Sequence, residues 1–549
     1  MNVLLEKIKT SKKNLFVGLA GPGTGKSHTF KIIADSKEFN GKKILILSFI
    51  NKLVDELKDD FENYDNVEVS TLHSFASKKL GIKESEIIFE ESLDFFISDD
   101  AFYINGSNIS YEKKFQDNEL DQNELNFYKT RQNFYSWSNN RIYSFNSVIN
   151  AINQVFSSNE SEIPEYDLVL IDEFQDFNKL EWSFIKHLNK ESRMVLVGDD
   201  DQSLYSWKQA RPEQIRLLYD NEDTEEFTLD NCYRCTEVIV KAVNDLLRKA
   251  KQDGYLKDSK PKIFKYPENP LDKQKESSKL YKRIDFVPKV NGEQLIYHLA
   301  KQIREDLSKS KPNKDEKDRI LVIVPHFYKQ KIYEGLIKTG FNVVEYSLFS
   351  EEKNGDVKHK ELIGAFNVLL VRKTDNLALR KILYLYLNKE EIKKLIVTSN
   401  TKKNGLWNCF EKSTRDDIEK DIEIFKKVKK GELSLSNEEL QRFSKIFNLK
   451  NILPKIINGF EHTKRNSPEV EITTAMTSKG LSADFVYYIG IDDRNFFHKN
   501  MNINEKICEF LVGITRTRKR LVVFSFYDNN PRILKFLGED YINRIEIKR

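Results

Sequence analysis

Two short stretches carry residues whose types and spacing suit chemistry on a chain of phosphates. The first is AGPGTGKS, which follows the apolar run Leu15-Phe16-Val17 and precedes the helix-forming HTFKIIAD. Ala20, Gly21, Pro22, Gly23, Thr24 and Gly25 make a loop in which Gly23 and Gly25 let the backbone curl, so that successive amide N–H groups point at one anion. The helix behind the loop adds the positive end of its dipole. Lys26 would reach the β- and γ-phosphates, and the Ser27 hydroxyl is placed to ligate magnesium. Ala20 stands at the position where the pattern begins with glycine; it is small enough for the same close approach. The second stretch is DEFQD, which delivers Asp172 and Glu173 directly after the apolar run Leu168 to Ile171. Asp172 suits holding magnesium. Glu173 suits polarising the water that attacks a γ-phosphate, because phosphoryl transfer needs positioning and charge stabilisation above all. Such an acidic pair also serves as plain helix N-terminal charge, but the phosphate loop upstream favours the chemical role.

These groups need strands that end along one edge. Residues 1 to 75 alternate short apolar runs with amphipathic stretches, the pattern of a parallel sheet flanked by helices. Ile44 to Leu47 is a second buried strand, followed by a helix with Leu53, Leu57 and Phe61 on one face. Val67 to Ser70 is a third, ending in TLHSF. Met194 to Val197 leads into GDDDQSLYSWKQAR, where Gln202 is placed to sense a terminal phosphate and Tyr205 and Trp207 are turn aromatics able to stack on bases. A core anchor is the competing role for Trp207. Between 76 and about 165 the strand rhythm gives way to a polar, aromatic segment. There NFYKTRQNFYSWSNNRIYSF interleaves aromatics with Lys129, Arg131 and Arg141. That pattern suits base stacking, and equally a helical insert whose aromatics form its own small core.

The chain has 549 residues, enough for several domains, and Lys+Arg 89 against Asp+Glu 85 leaves a net charge of +4. No global field argues for a polyanionic partner, so a nucleic-acid site would be a local groove. No apolar run approaches the roughly 20 residues of a membrane span, and the N-terminus has no cleavage-site pattern. Four cysteines in so long a chain argue against a disulfide scaffold and for a reducing cytoplasm. Cys232 and Cys235 form a lone CxxC that lacks the two further ligands of a structural zinc site. The Lys-rich stretch from 249 to 318 has the composition of partly mobile connections.

Taken together, these stretches resemble the motifs of the UvrD/Rep-like superfamily 1 DNA helicases. DEFQD is similar to the family's DExQD signature, and VGDDDQSLYSW to its motif III, in which a Gln contacts the γ-phosphate and aromatics stack on single-stranded DNA. SFINK and TLHSF match the two motifs that follow the phosphate loop, which implies DNA contacts for Phe49, Asn51, Thr71 and His73. LDNCYRC resembles motif IV. By that likeness Tyr233 stacks on adenine and Arg234 reaches the γ-phosphate. TTAMTSKGLSADFV resembles motif V, giving Gly480 to the nucleotide, and LVGITRTR resembles motif VI, with Arg516 as a second arginine finger. The chain departs from the family where base and sugar are read: no glutamine precedes Gln116, Met476 and Ser482 replace the usual His and Glu of motif V, and Cys232 and Cys235 replace Asn and Ser around Tyr-Arg.

The resemblance implies an α/β fold of two RecA-like P-loop NTPase cores with mainly helical inserted subdomains. The spacing gives core 1 as residues 1–75 and 166–215 around an insert at 76–165. Core 2 falls at 216–350 and 456–549, around a reduced helical insert at 351–455. The implied activity is an ATP- and Mg2+-dependent 3′-to-5′ translocase and helicase on single-stranded or tailed duplex DNA, with no membrane partner. The alternative is a nucleotide-gated DNA-binding subunit of a defence or repair complex that works with a separate nuclease or other protein subunit.

Overall fold

The computed structural model describes residues 3–48, 51–82, 87–88, 90–117, 119–135, 143–204, 211–262, 264–290, 292–309, 318–345, 354–430, 436–446, 470–498 and 501–546. By their internal contacts they divide into two compact units, one of residues 1–75, 153–349 and 467–549, the other of 76–152 and 350–466.

The first unit holds two parallel sheets. One is six-stranded, in the order β3-β2-β6-β7-β1-β8. Its strands are β1 (Leu15–Ala20), β2 (Ile44–Ser48), β3 (Val67–Thr71), β6 (Leu168–Ile171), β7 (Met194–Gly198) and β8 (Thr224–Leu229). Every residue of β2, β6 and β7 is buried, as expected of central strands covered on both faces by helices. At the edge, β8 buries only Thr224 and Phe227 and pairs in parallel with β1, from Leu15 opposite Thr224 to Ala20 opposite Leu229. The stretch expected to open the second core at 216 therefore still supplies a strand to the first sheet. Gly18 makes room for it, since a Cβ there would fall 2.2 Å from the Phe227 ring.

The other sheet is seven-stranded, in the order β11-β12-β10-β13-β14-β9-β15. It uses β9 (Ile284–Val287), β10 (Ile320–Ile323), β11 (Val343–Glu345), β12 (Val470–Thr473), β13 (Ala483–Ile489), β14 (Thr517–Phe524) and β15 (Ile542–Arg544). The Lys-rich stretch from 249 to 318 is not a set of mobile connections where it is described. It contains β9 and the helices Asp272–Leu280 and Gly292–Lys309. Its other described lysines are exposed or half-buried on elements whose apolar residues, such as Phe286, Leu299 and Ile303, enter the core, whereas Lys262 is drawn in among Asp199, Asp200 and Asp201.

The second unit is mainly helical and contains one minimal parallel pair, β4 (Ile87–Ile88) with β5 (Tyr143–Ser144). At its centre Asp100, fully buried, accepts hydrogen bonds from Arg131 Nε at 2.9 Å and the Tyr135 hydroxyl at 2.6 Å. Arg380 pairs with both Asp99 and Asp100. Tyr128, Arg131 and Tyr135 are buried. Over these residues the interleaved aromatics and cations are thus the core of an insert, not a stacking surface; residues 136–142, with Arg141, lie outside the described residues. No helix among the described residues is long and apolar enough to cross a membrane.

Candidate nucleotide-binding site

The site begins at the C-terminal end of β1, where an open parallel sheet presents its strand ends to ligands. Ala20, Gly21 and Pro22 are buried, and the Thr24 hydroxyl donates to Gly21 O at 2.8 Å, closing the loop on itself. Gly23 (φ 70°) and Gly25 (φ 79°) occupy the left-handed region that side chains disfavour, and Gly25 caps the helix Lys26–Ala34. Lys26 and Ser27 open that helix, beside its unpaired N-terminal amides.

Two strands away, β6 ends in Asp172 and Glu173. Lys26 Nζ lies 3.2 Å from Asp172 Oδ1 and 2.6 Å from Glu173 Oε1. Glu173 is a non-glycine residue at φ 53°, a strained backbone that turns its carboxylate back toward Lys26. Its other oxygen accepts from Gln175 Nε2 at 2.6 Å. Burial alone would raise the Glu173 pKa, but the charges of Lys26 and Lys479 outweigh it and hold the carboxyl well below the usual range. For Asp172 burial prevails, and its pKa is raised. Gln175 in turn accepts from Asp199 N at 3.0 Å, which ties the acidic strand end to that of β7. Gln202, buried beyond β7, donates to Asp199 Oδ2 at 2.6 Å.

Three groups arrive from outside the first sheet. The segment after β8 brings the Tyr233 amide to Gly23 O at 2.9 Å, and Arg234 packs so tightly that a Cβ on Gly23 would fall 2.4 Å from Arg234 Cβ. Arg234 Nη1 donates to Thr515 O at 3.4 Å. Arg516, directly before β14 and almost fully buried, donates to Val512 O at 2.8 Å, Leu481 O at 3.2 Å and Gln202 Oε1 at 3.3 Å. Burial and the like charge of Arg234 lower its pKa. Lys479 pairs with Asp176, donates to Gln202 O at 2.8 Å, and lies 3.6 Å from Glu173 Oε2. Gly480 follows at φ 85°, so the left-handed turn after Lys479 belongs to the loop that carries it. Burial pushes the Asp176 carboxyl up to about 7 against the pull of Lys479.

Lys26, Asp172, Glu173, Gln202, Tyr233, Arg234 and Arg516 are thus brought into one connected cluster. Gln175, Asp176 and Lys479 join them and were missed from sequence. Asp176 is the last letter of DEFQD and Lys479 stands directly before the assigned Gly480, so both lay inside the quoted motifs. The residues assigned to DNA are differently placed. The Thr71 hydroxyl accepts from Ser74 N at 3.1 Å and caps the helix Leu72–Leu80, while His73 Nε2 lies 3.3 Å from Glu181 Oε1. Glu181 itself completes a capping box with Asn178. Phe49, Tyr205 and Trp207 lie outside the described residues, as does the side chain of Asn51, which begins the helix Asn51–Asp60.

Comparison with known proteins agrees with this layout. Residues 5–208 match the family described as AAA domain, and residues 384–528 match the UvrD-like helicase C-terminal domain. These matches support a UvrD/Rep-like helicase. Among similar UvrD/Rep-like proteins, a probable DNA helicase II homolog of Mycoplasma genitalium is 24% identical over all of this chain and 88% of its own length. The ATP-dependent DNA helicase Rep of Buchnera aphidicola is 27% identical over 64% of this chain and 62% of its own. The ATP-dependent DNA helicase PcrA of Staphylococcus epidermidis is 26% identical over 44% of this chain and 39% of its own. As in the UvrD/Rep-like fold, two parallel α/β sheets with helices carry the site, and the two parts of the chain that contribute to it fall within the two matched regions or between them.

Proposed function

We propose that this chain is an ATP-driven 3′-to-5′ translocase on single-stranded DNA that separates the strands of a tailed duplex. The observation that carries the reading is the reach of Lys479 and Arg516, both borne by loops of the second sheet, onto Asp176 and Gln202 at the strand ends of the first. A nucleotide clamped at that junction couples its own hydrolysis to the separation of the two sheets.

The triphosphate lies along the amides of Gly23 to Ser27, with Lys26 turning from the carboxylates to the β- and γ-phosphates. Ser27 and Asp172 offer hard oxygen donors of the kind magnesium takes. Asp172 Oδ1 already stands 3.2 Å from the cationic Lys26 Nζ, so its position suits positive charge. Magnesium, when bound, neutralises charge on the phosphate oxygens. Glu173, held ionised by Lys26 and Lys479 and aimed by Gln175, takes up the proton of the attacking water. Arg234 and Arg516 stabilise charge on the phosphoryl group in transit, and Gln202 links Arg516 to the strand end of β7. Tyr233, partly exposed beside Gly23, is the stacking surface for the base. Opening and closing of the junction then moves DNA past Thr71, His73, Phe49, Asn51, Tyr205 and Trp207.

The test is ATP and GTP hydrolysis by the purified chain with and without single-stranded DNA, together with displacement of a strand from 3′- and 5′-tailed duplexes. DNA-stimulated hydrolysis abolished by Lys26→Ala, with displacement only from 3′ tails, is the expected result. Hydrolysis without displacement rejects the strand-separating part, and equal use of 5′ tails rejects the direction.

A further inference from the structure

Cys232 and Cys235 flank Tyr233 and Arg234, so the loop that meets the phosphate cradle is bracketed by thiols. Cys232 Sγ accepts a hydrogen bond from Cys235 N at 3.3 Å, which folds the second cysteine back over the first. The buried Gln274 amide donates to both Cys232 O and Cys235 O, each at 2.7 Å, and so clamps the two backbones side by side. Cys235 Sγ also reaches Thr515 O at 3.5 Å, the carbonyl that accepts from Arg234 and precedes Arg516. Cys232 Sγ lies 3.3 Å from where a Cβ on Gly23 would stand. Burial raises the Cys232 thiol pKa, but hydrogen bonds from Cys235 and the Arg234 amide and charge outweigh it and bring it to about 7, which favours a reactive thiolate. Both sulfurs are buried, but Tyr233 between them is 42% exposed, so the loop itself meets solvent.

We propose that Cys232 and Cys235 form a reversible dithiol that a hydroperoxide closes into a disulfide, and that closure switches off the phosphate site. The Cys232 thiolate attacks the peroxide oxygen, forming a sulfenic acid and releasing hydroxide. The Cys235 thiol then displaces the sulfenic oxygen as water, so two thiols and one hydrogen peroxide give one disulfide and two waters. Bonding brings the two sulfurs to about 2.05 Å from each other. That pulls Cys235 off Thr515 O and moves Arg234, which has no slack against Gly23. The bond stands independently of the function proposed above; only its effect on hydrolysis rests on that reading.

Treating the reduced chain with hydrogen peroxide and then dithiothreitol tests both parts. The peptide carrying both cysteines should become lighter by about 2 Da, reversibly. DNA-stimulated hydrolysis should fall roughly 10²-fold, the cost of misplacing one donor at such a site, and recover with the thiol reagent. Cys235→Ser should lose the reversible mass change. A wild-type peptide that keeps its mass overturns the proposal, and a link that leaves hydrolysis unchanged overturns the switch. A reduced chain with no hydrolysis at all counts against the proposed function instead, while the mass still decides the bond.

Discussion

Lys26 Nζ lies 2.6 Å from Glu173 Oε1, so the cation meant for phosphate and the carboxylate meant for water neutralise each other. Glu173→Gln removes the charge while keeping the shape, and it frees Lys26. Nucleotide affinity should be kept or improved, while turnover falls by roughly 10²- to 10⁴-fold, the usual worth of a general base. Equilibrium binding of a fluorescent nucleotide beside steady-state hydrolysis checks this; a turnover within a few-fold of wild type would remove Glu173 from the mechanism.

Lys479 is nearly fully buried against Asp176. At about pH 8, where Asp176 is ionised, Lys479→Met leaves that carboxylate without its cation and should cost about 3–5 kcal/mol, whereas the double change Lys479→Met with Asp176→Leu should recover most of it. Urea unfolding of the three proteins decides the point: a single variant as stable as wild type would show that the pair contributes nothing.

The same carboxyl predicts a pH dependence. Burial raises Asp176 to about 7, above the roughly 3.9 of an unfolded chain. Between those values the folded form holds a proton that the unfolded form has lost, so this group's contribution to stability falls as pH rises through that window, by up to about 4 kcal/mol. Asp176→Asn should remove the fall, and unfolding midpoints at about pH 5 and about pH 8 measure it. A wild-type-minus-variant difference that stays constant across the window refutes the assignment.

What the sequence made legible was whatever is signalled locally. The glycine spacing of Ala20–Ser27, the apolar run before Asp172 and the Tyr-Arg and Thr-Arg pairs each announce a strand end or a turn within a few residues. Pairings between distant parts were not legible. Nothing near Asp176 names Lys479 as its partner, 303 residues away. Likewise β8, a mostly polar edge strand, gives no sign of which sheet it joins. The lysines of 249–318 misled, and the aromatics of 126–135 left base stacking and a small core both open, for one reason: composition does not say which face of an element is buried.

Gly23→Ala asks two things of the loop that alanine cannot give, a backbone at φ 70° and a methyl group 2.4 Å from Arg234 Cβ. Strain of about 1–3 kcal/mol should weaken nucleotide binding by roughly 5- to 150-fold while leaving the overall fold intact. Nucleotide titration beside circular dichroism checks both; unchanged affinity would mean that Arg234 can retreat freely.

The buried Asp100 network carries a consequence for synthesis. Arg380 follows Asp99 by 281 residues, and the second unit is completed only when both inserts have been made. At about 5–20 residues per second a ribosome needs roughly 15 to 60 s to deliver that arginine. Through that interval the first insert waits with a carboxylate at its centre and half of its ion pairs absent, so nascent chains should be open to proteases or chaperones there until the second insert emerges.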